Sequence, residues 1–342
     1  MRIAVLGAGS LGTIVGAYLA TGGMDVELID AYEEHVNTLN RVGAKVIGTT
    51  EFHAEVKAIT PENKSGKYDL VLLLTKQLYN DSVLKELLPF LRKDSVVCSL
   101  QNGIPEKKVA SIIGEERVIA GSVEFGATFI EPGVSRLTTE YNQFKEYAFQ
   151  IGELNGETTE RIQRIKAVLD LVGETHISDN LVGTKWSKLL INNAFSGLSA
   201  ALNGKYGDIL DNEIGIVSAV HIADETIKVG HANGVQFAKM SGFDLESLEL
   251  RSENDIPERI QAFRVAMKPS RLLRASMLQD LEKKRKTEID YINGVVPKMA
   301  EGTGISTPFN DLVVAQVKLA EESQTVPNFD TNIEAFEKLL SI

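Results

Sequence analysis

The chain has 342 residues, a length that suits two domains, and 43% of them are hydrophobic, enough for real cores. Its 36 Lys and Arg against 47 Asp and Glu leave a net charge of −11, which argues against a general affinity for nucleic acid or anionic membrane. One cysteine, Cys98, excludes an intrachain disulfide and fits a reducing compartment. The opening "MRIAVLGAGS" is broken by glycines and lacks a cleavage site, and no apolar run approaches the roughly 20 residues of a membrane span. A cytoplasmic protein is expected.

The stretch "RIAVLGAGSLGTIVGAYLATGG" predicts a strand, a glycine turn and a helix. Gly7, Gly9 and Gly12 have the spacing G-x-G-x-x-G. Gly7 permits a tight turn, Gly9 lets the backbone approach a pyrophosphate, and Gly12 lets helix and strand pack closely. The helix starts at Ser10 and Leu11, whose free N–H groups and dipole would face phosphates. A second strand, "DVELID", supplies the context that the motif requires. It ends at Asp30, 18 residues after Gly12. An acid there accepts hydrogen bonds from adenine ribose hydroxyls and repels a 2′-phosphate, so NADH is favoured over NADPH. The alternative is that Asp30 only caps the helix beginning near Tyr32.

The segments "YDLVLLLTK" (68–76) and "SVVCSLQNG" (95–103) read as buried parallel strands, with "NDSVLKELLPFLR" and "EKKVASIIG" as helices. Ligands bind at the carboxyl ends of such strands, which puts Lys76 and Asn102 at a cofactor site; either could equally be a loop residue facing water. Cys98, inside a strand, reads as core. Segments 117–139 and "FQIGEL" are expected to be antiparallel strands ending the sheet, and "ETTERIQRIKAVLDLVGE" a helix crossing back. The composition changes near "HISDN", so a dinucleotide-binding domain over 1–178 and a helical domain over 179–342 are expected. The polar stretch 239–259 is a candidate mobile insert.

In "TKWSKLLINNAFSGLSAALNG", Lys188, Asn192 and Ser196 recur every four residues and form one stripe on an otherwise apolar helix. Asn192 alone could be satisfied by neighbouring helices. A partly buried lysine in such a stripe suits proton exchange near neutral pH. In "SMLQDLEKKRKTEIDYINGVV" (276–296), a helical reading puts Glu288, Ile292, Val295 and Met299 on one stripe. A carboxylate there either reaches water at the stripe's edge or has a buried partner. The five histidines, His35, His53, His176, His221 and His231, are scattered, so no metal site is expected.

Together "GAGSLG", Thr75-Lys76, "QNG" at 101–103, "KWSKLLINN" at 185–193 and "SMLQDLEKKRKTEIDYING" at 276–294 resemble the ketopantoate reductase (2-dehydropantoate 2-reductase) family over almost the whole chain. The resemblance implies an α/β Rossmann-like domain followed by an all-α domain, with the active site in the cleft between them. It implies NAD(P)H-dependent reduction of a 2-oxo acid to the D-2-hydroxy acid. Lys188 resembles the family's general acid, Glu288 its active-site glutamate and Ser276 a serine on the substrate carboxylate. Asn102 resembles an asparagine at the nicotinamide end, Lys76 a lysine beside the cofactor, and Asn192 the first of two asparagines that hold the substrate. Ser196-Gly197 departs from the family's Asn-Pro, and serine reaches less far toward a distal hydroxyl. Asp30 also departs, toward relatives that use NADH.

Lys188 would stabilise and protonate the carbonyl oxygen, with Glu288 balancing its charge. Twelve residues of helix span about 18 Å. Ser276 and Glu288 can therefore share one small substrate only if the chain bends sharply between them, near the solvated "EKKRK" run. The runner-up is an NAD-dependent D-2-hydroxyacid dehydrogenase for branched or aromatic 2-oxo acids. A dinucleotide-sensing module without catalysis is the alternative of another class. A homodimer through the helical domain suits such a chain.

Overall fold

The computed structural model describes residues 1–240 and 242–341. The chain divides into two compact units, Met1–Leu181 and Val182–Ile342.

The first unit is built on an eight-stranded sheet. Its strands and helices in chain order are β1 (Arg2–Leu6), α1 (Ser10–Thr21), β2 (Asp25–Ile29), α2 (Glu33–Val42), β3 (Ala44–Gly48), β4 (Phe52–Ala54), β5 (Lys57–Ile59), β6 (Tyr68–Leu73), α3 (Asn80–Leu87), β7 (Leu91–Ser99), α4 (Glu106–Ile113), β8 (Val118–Val123), β9 (Ala127–Glu131), β10 (Val134–Leu137), α5 (Tyr141–Glu146), β11 (Phe149–Gly152), α6 (Glu160–Leu169) and β12 (Thr175–Ile177). The large sheet runs β12-β11-β8-β7-β6-β1-β2-β5. From β5 to β8 this is the 3-2-1-4-5-6 order of dinucleotide-binding sheets, all parallel. Both faces are covered, which is why the strands are apolar throughout rather than alternating. Along β1, Ile3 and Val5 enter one core with Ile14, Val36 and Phe144, while Ala4 and Leu6 enter the other with Leu84, Val97 and Val109. Cys98 is fully buried in β7, as its strand position implied.

Residues 117–139 depart from the expected antiparallel end of the sheet. In the main sheet the reversal comes at β11, antiparallel to β8 and followed in the same direction by β12, while β8 itself runs parallel to β7. The hairpin β9–β10, turned at Pro132-Gly133, leaves the main sheet and joins β3 and β4 in a second sheet of order β4-β3-β10-β9. This sheet covers α1 on the side away from the glycines Gly12 and Gly16, which pack against Gly7 in the turn and against Val5 and Leu28 of the main sheet.

The second unit is helical: α7 (Leu181–Ile191), a π-helical turn (Asn192–Gly197), α8 (Leu198–Leu202), α9 (Tyr206–Asp211), α10 (Glu213–Ala232), α11 (Ile256–Ala266), α12 (Ser276–Glu282), α13 (Val295–Ala300), α14 (Pro308–Ser323) and α15 (Phe329–Leu340). The buried α10 is its centre, packed by α9, the π turn, α11, α13, α14 and α15. Residues 276–296 are not one helix. The chain leaves α12 through Lys283 and Lys284, whose left-handed φ of 53° stops the helix, and resumes as a short 3-10 turn at Ile289–Tyr291. The sharp break expected between Ser276 and Glu288 is present, and all five residues of "EKKRK" are exposed. The stripe joining Glu288 to Ile292, Val295 and Met299 does not exist, because Glu288 and Ile292 flank the 3-10 turn and only Val295 and Met299 share a helix, α13. The stretch 239–259 is also more ordered than its composition implied, Ser241 lying outside the described residues. Leu245, Leu248 and Leu250 are buried, and Leu250 N donates to Asp224 Oδ1 on α10 at 2.7 Å.

A buried polar network runs through this unit. Glu225 on α10 accepts from Phe309 N (2.8 Å), Asn310 N (2.9 Å) and Asn310 Nδ2 (2.7 Å), capping the positive end of α14. Asn293 Nδ2 donates both to Asn310 Oδ1 (3.0 Å) and to the carbonyl of Asn193 (3.1 Å), while Asn193 Nδ2 donates to Thr226 Oγ1 (3.2 Å). A π turn displaces helical hydrogen bonds by one residue, and Asn293 meets one of the carbonyls in it. A Cβ at Gly197 would lie 1.9 Å from Asn293 Oδ1, so only glycine admits the asparagine.

Burial pushes the Glu225 pKa from 4.5 up to about 7, against the three donors that favour its charged form. An acid titrating higher in the folded state costs stability as it ionises: nothing below about 4.5, the full amount above about 7. Denaturant titrations should show the protein losing stability relative to E225Q as pH rises through that window, by on the order of 3 kcal/mol. A pH-independent difference between the two proteins would contradict this.

Candidate active site

The glycine turn lies at the carboxyl end of β1, beside the point where strand order reverses between β1 and β6. Gly7 has φ +100°, and a Cβ on it would sit 2.6 Å from Thr75 N. A Cβ on Gly12 would meet Gly7 O at 2.1 Å. A Cβ on Gly9 would meet nothing within 4 Å. The first and third glycines are therefore demanded by the protein's own packing, while the second faces open space, which a close approach to pyrophosphate requires. Thr13 N is bonded to Gly9 O at 2.9 Å, and the N–H groups of Ser10, Leu11 and Gly12 precede it in a first turn without acidic residues. This cradle fits a dinucleotide.

A buried histidine backs the turn. His35 on α2 puts Nε2 2.8 Å from Ala8 O, inside the glycine motif, where Thr13 Oγ1 also donates at 2.7 Å. Gly133 N donates to its Nδ1 at 2.9 Å, so the proton sits on Nε2. Burial holds the His35 pKa below its usual value, which keeps the ring neutral as this geometry needs. No motif marks this residue; its role depends on a contact with the distant Pro132-Gly133 turn.

Asp30 is half-buried at the end of β2, next to the turn, because Gly7 N and Ala8 N both donate to Ile29 O (2.9 and 3.2 Å). Its Oδ1 accepts from Tyr32 N at 2.9 Å, so it does shape the entry to α2; Oδ2 accepts no hydrogen bond among the described residues. Lys76 is half-buried after β6 and Asn102 exposed after β7. Three amides to which the sequence assigns no role tie these loops together. Gln77 Nε2 donates to Asn102 O at 2.6 Å, and Gln101 Nε2 donates to Thr75 O at 2.6 Å and Asn80 Oδ1 at 2.7 Å, Asn80 Nδ2 returning a bond to Gln101 Oε1 at 3.1 Å. All the candidates of this unit thus line one edge of its sheet.

In the second unit, Lys188 and Asn192 are half-buried while Trp186, Leu189, Leu190, Ala194, Phe195 and Leu198 fill the core around them. The stripe continues through the π turn: Ser196 Oγ donates to Asn192 Oδ1 at 3.2 Å. Ser196 is itself buried and meets the Tyr206 hydroxyl at 2.6 Å. Ser276 is the exposed first residue of α12, which packs against the π turn. Glu288, half-buried, precedes the turn that Asn293 ties to Asn193. The helix that begins at Ser276 and the segment that follows Glu288 thus both pack against the π turn that continues the helix of Lys188.

A doubly wound sheet with a glycine turn at its switch point, followed by a helical unit with a half-buried lysine, defines a nicotinamide dinucleotide-dependent oxidoreductase. The family model "Ketopantoate reductase PanE/ApbA" matches residues 3–155, and its C-terminal counterpart residues 180–321. A 2-dehydropantoate 2-reductase of Pyrococcus horikoshii is 32% identical over 94% of this chain and 98% of its own length, and one of Pyrococcus abyssi 30% over 93% and 97%. Among solved structures, D-mandelate dehydrogenase with NADH and anilino(oxo)acetate has a TM-score of 0.81 at 25% identity, covering 95% of this chain and 99% of that one. A PanE/ApbA family ketopantoate reductase from Ralstonia eutropha JMP134 has 0.79 at 26%, with the same coverage. The chain belongs to the ketopantoate reductase family, whose members are oxidoreductases acting on a CH–OH group. No helix among the described residues is long and apolar enough to cross a membrane.

Replacing His35 by alanine strands the buried Gly133 N–H and removes one donor to Ala8 O. A stability loss of about 1–3 kcal/mol is expected in denaturant titrations, together with weaker NADH binding in fluorescence titrations. Unchanged NADH affinity would show that the histidine does not support the cradle.

Proposed function

We propose that the chain reduces a 2-oxo acid to its D-2-hydroxy acid at the expense of a reduced nicotinamide dinucleotide, and that its reaction is 2-dehydropantoate to D-pantoate. The observation that carries this is Lys188 and Asn192, half-buried one turn apart on a helical segment whose neighbouring side chains Leu189, Leu190, Ala194, Phe195 and Leu198 are core, with Thr184, Lys185 and Ser187 the buried polar residues of the same helix. The similarity to 2-dehydropantoate 2-reductases over nearly the whole chain supports the substrate.

Residues 1–178 hold the cofactor, with Asn102 at its nicotinamide end, and residues 179–342 carry the other substrate-binding residues. The nicotinamide, when bound, supplies the hydride that attacks the carbonyl carbon. Lys188 Nζ stabilises the negative charge that develops on the carbonyl oxygen and gives it a proton. Glu288 balances the lysine's charge. Asn192, Ser196, Ser276 and Asn102 hold the 2-oxo acid, the Ser276 hydroxyl donating to its carboxylate. Gly7, Gly9, Ser10, Leu11 and Gly12 cradle the pyrophosphate, with Lys76 beside it. Asp30, with one carboxylate oxygen unengaged, accepts the ribose hydroxyls and disfavours a 2′-phosphate, so NADH is preferred over NADPH. The lone cysteine, buried in β7, suits a reducing cytoplasm, and exposed Leu272 and Leu273 on the helical unit suit a homodimer.

The second reading, an NAD-dependent D-2-hydroxyacid dehydrogenase for branched or aromatic 2-oxo acids, is favoured by Ser196. Its hydroxyl is engaged by Asn192 and Tyr206, and it is too short to copy an asparagine that holds a distal hydroxyl. The likeness to D-mandelate dehydrogenase supports the same branch.

Initial rates with NADH and NADPH, each on 2-dehydropantoate and 2-oxoisocaproate, separate the two readings by which acid has the higher kcat/KM. In either case K188A should lower kcat at least a hundredfold while leaving NADH affinity within twofold. Full activity of K188A would remove the lysine from the mechanism. D30A should lower the preference for NADH, and an unchanged cofactor ratio would remove Asp30 from that role.

A further inference from the structure

Ser196, where this chain departs from the family's asparagine, is the middle of a directional hydrogen-bond chain. A hydroxyl has one proton. Ser196 Oγ gives its proton to Asn192 Oδ1 at 3.2 Å, so at its 2.6 Å contact with Tyr206 it must accept. The Tyr206 hydroxyl is therefore the donor, and the order is Tyr206 to Ser196 to Asn192. The consequence falls on Asn192. Its carbonyl is occupied, which fixes the amide's orientation, and its Nδ2 donates no hydrogen bond among the described residues although the side chain is half-buried.

Tyr206 is firmly held. It is 7% exposed, its ring lies 5.4 Å from that of Phe195, and its N–H donates to Leu273 O at 3.1 Å. Burial keeps its phenol above the ordinary pKa, so it remains a donor throughout the working range.

We propose that Tyr206 is a positioning and specificity-determining residue: acting through Ser196, it holds Asn192 as an obligate hydrogen-bond donor toward an acceptor oxygen of the 2-oxo acid. This rests on the reading that Asn192 holds the substrate. Without the tyrosine hydroxyl, Asn192 can turn over and donate to Ser196 Oγ, presenting its own carbonyl oxygen to the substrate's oxygen. The substrate class that follows is one with a carboxylate or carbonyl oxygen at this point.

The test uses the full-length enzyme with NADH and the variants Y206F, S196A, S196A/Y206F and N192A. KM and kcat are measured with 2-oxoisocaproate and 2-dehydropantoate, and the Kd of oxamate, an unreactive 2-oxo acid analogue, is measured on the enzyme–NADH complex. Y206F is expected to raise KM and the oxamate Kd about tenfold, to leave kcat within threefold, and to leave NADH affinity within twofold. In the S196A background the same change should add less than twofold, because the chain is already cut. An unchanged oxamate Kd in Y206F, or an equal loss in the S196A background, overturns the proposal. If Y206F does not fold, S196A carries the test alone, and an unchanged oxamate Kd overturns the proposal. N192A with undiminished oxamate binding would instead overturn the assignment of Asn192 to the substrate, and the proposal with it.

Discussion

The hydrogen bond from Asn293 Nδ2 to the carbonyl of Asn193 holds the chemistry-bearing part of the helical unit together. It joins the segment that follows Glu288 to the π turn that follows Lys188. Gly197 exists to let it form, and Glu225 and Asn310 anchor its other side. Such a turn is less favourable than regular helix and persists where the surroundings over-determine it. Here they do so through a network of amides and one carboxylate in an otherwise apolar core. The turn sets where Asn192 and Ser196 point, and hence, on the proposed function, what a substrate would meet beside Lys188.

The dinucleotide cradle depends on a different constraint, close backbone approach. Gly7 touches the Thr75 loop and Gly12 touches Gly7, so the ends of β1 and β6 are locked to the start of α1. His35 and Thr13 converge on Ala8 O from behind, and the Gln77, Asn80 and Gln101 amides lock the neighbouring loops. What is left open is the space over Gly9 and one oxygen of Asp30. A rigid turn of this kind presents donors to a pyrophosphate without having to be ordered on binding.

The features legible in the sequence are those carried by local spacing. The glycine triplet, the acid ending β2, the parallel order of the central strands and the four-residue recurrence of Lys188, Asn192 and Ser196 all follow from the chain's own periodicities. The need for a break between Ser276 and Glu288 followed from helix length together with the resemblance that puts both residues at one small substrate. Features made by distant contacts were not legible. Glu288 looked like part of a helical stripe because its apolar neighbours have the right spacing, yet Lys284 adopts a left-handed conformation that nothing in "EKKRK" announces. Strands 127–137 have ordinary strand composition, and only the packing against α1 decides that they form a second sheet. His35 and Tyr206 are single residues outside every motif, and their partners lie 98 and 10 residues away in sequence.

The most direct test of the central claim is the product itself. The enzyme would be incubated with NADH and 2-dehydropantoate, and the 2-hydroxy acid quantified by chiral chromatography against the NADH consumed. Equal amounts of NAD and D-pantoate, formed by the wild type and not by K188A, are the expected result. Saturable NADH binding with no hydroxy acid formed from 2-dehydropantoate or any other 2-oxo acid would contradict the account.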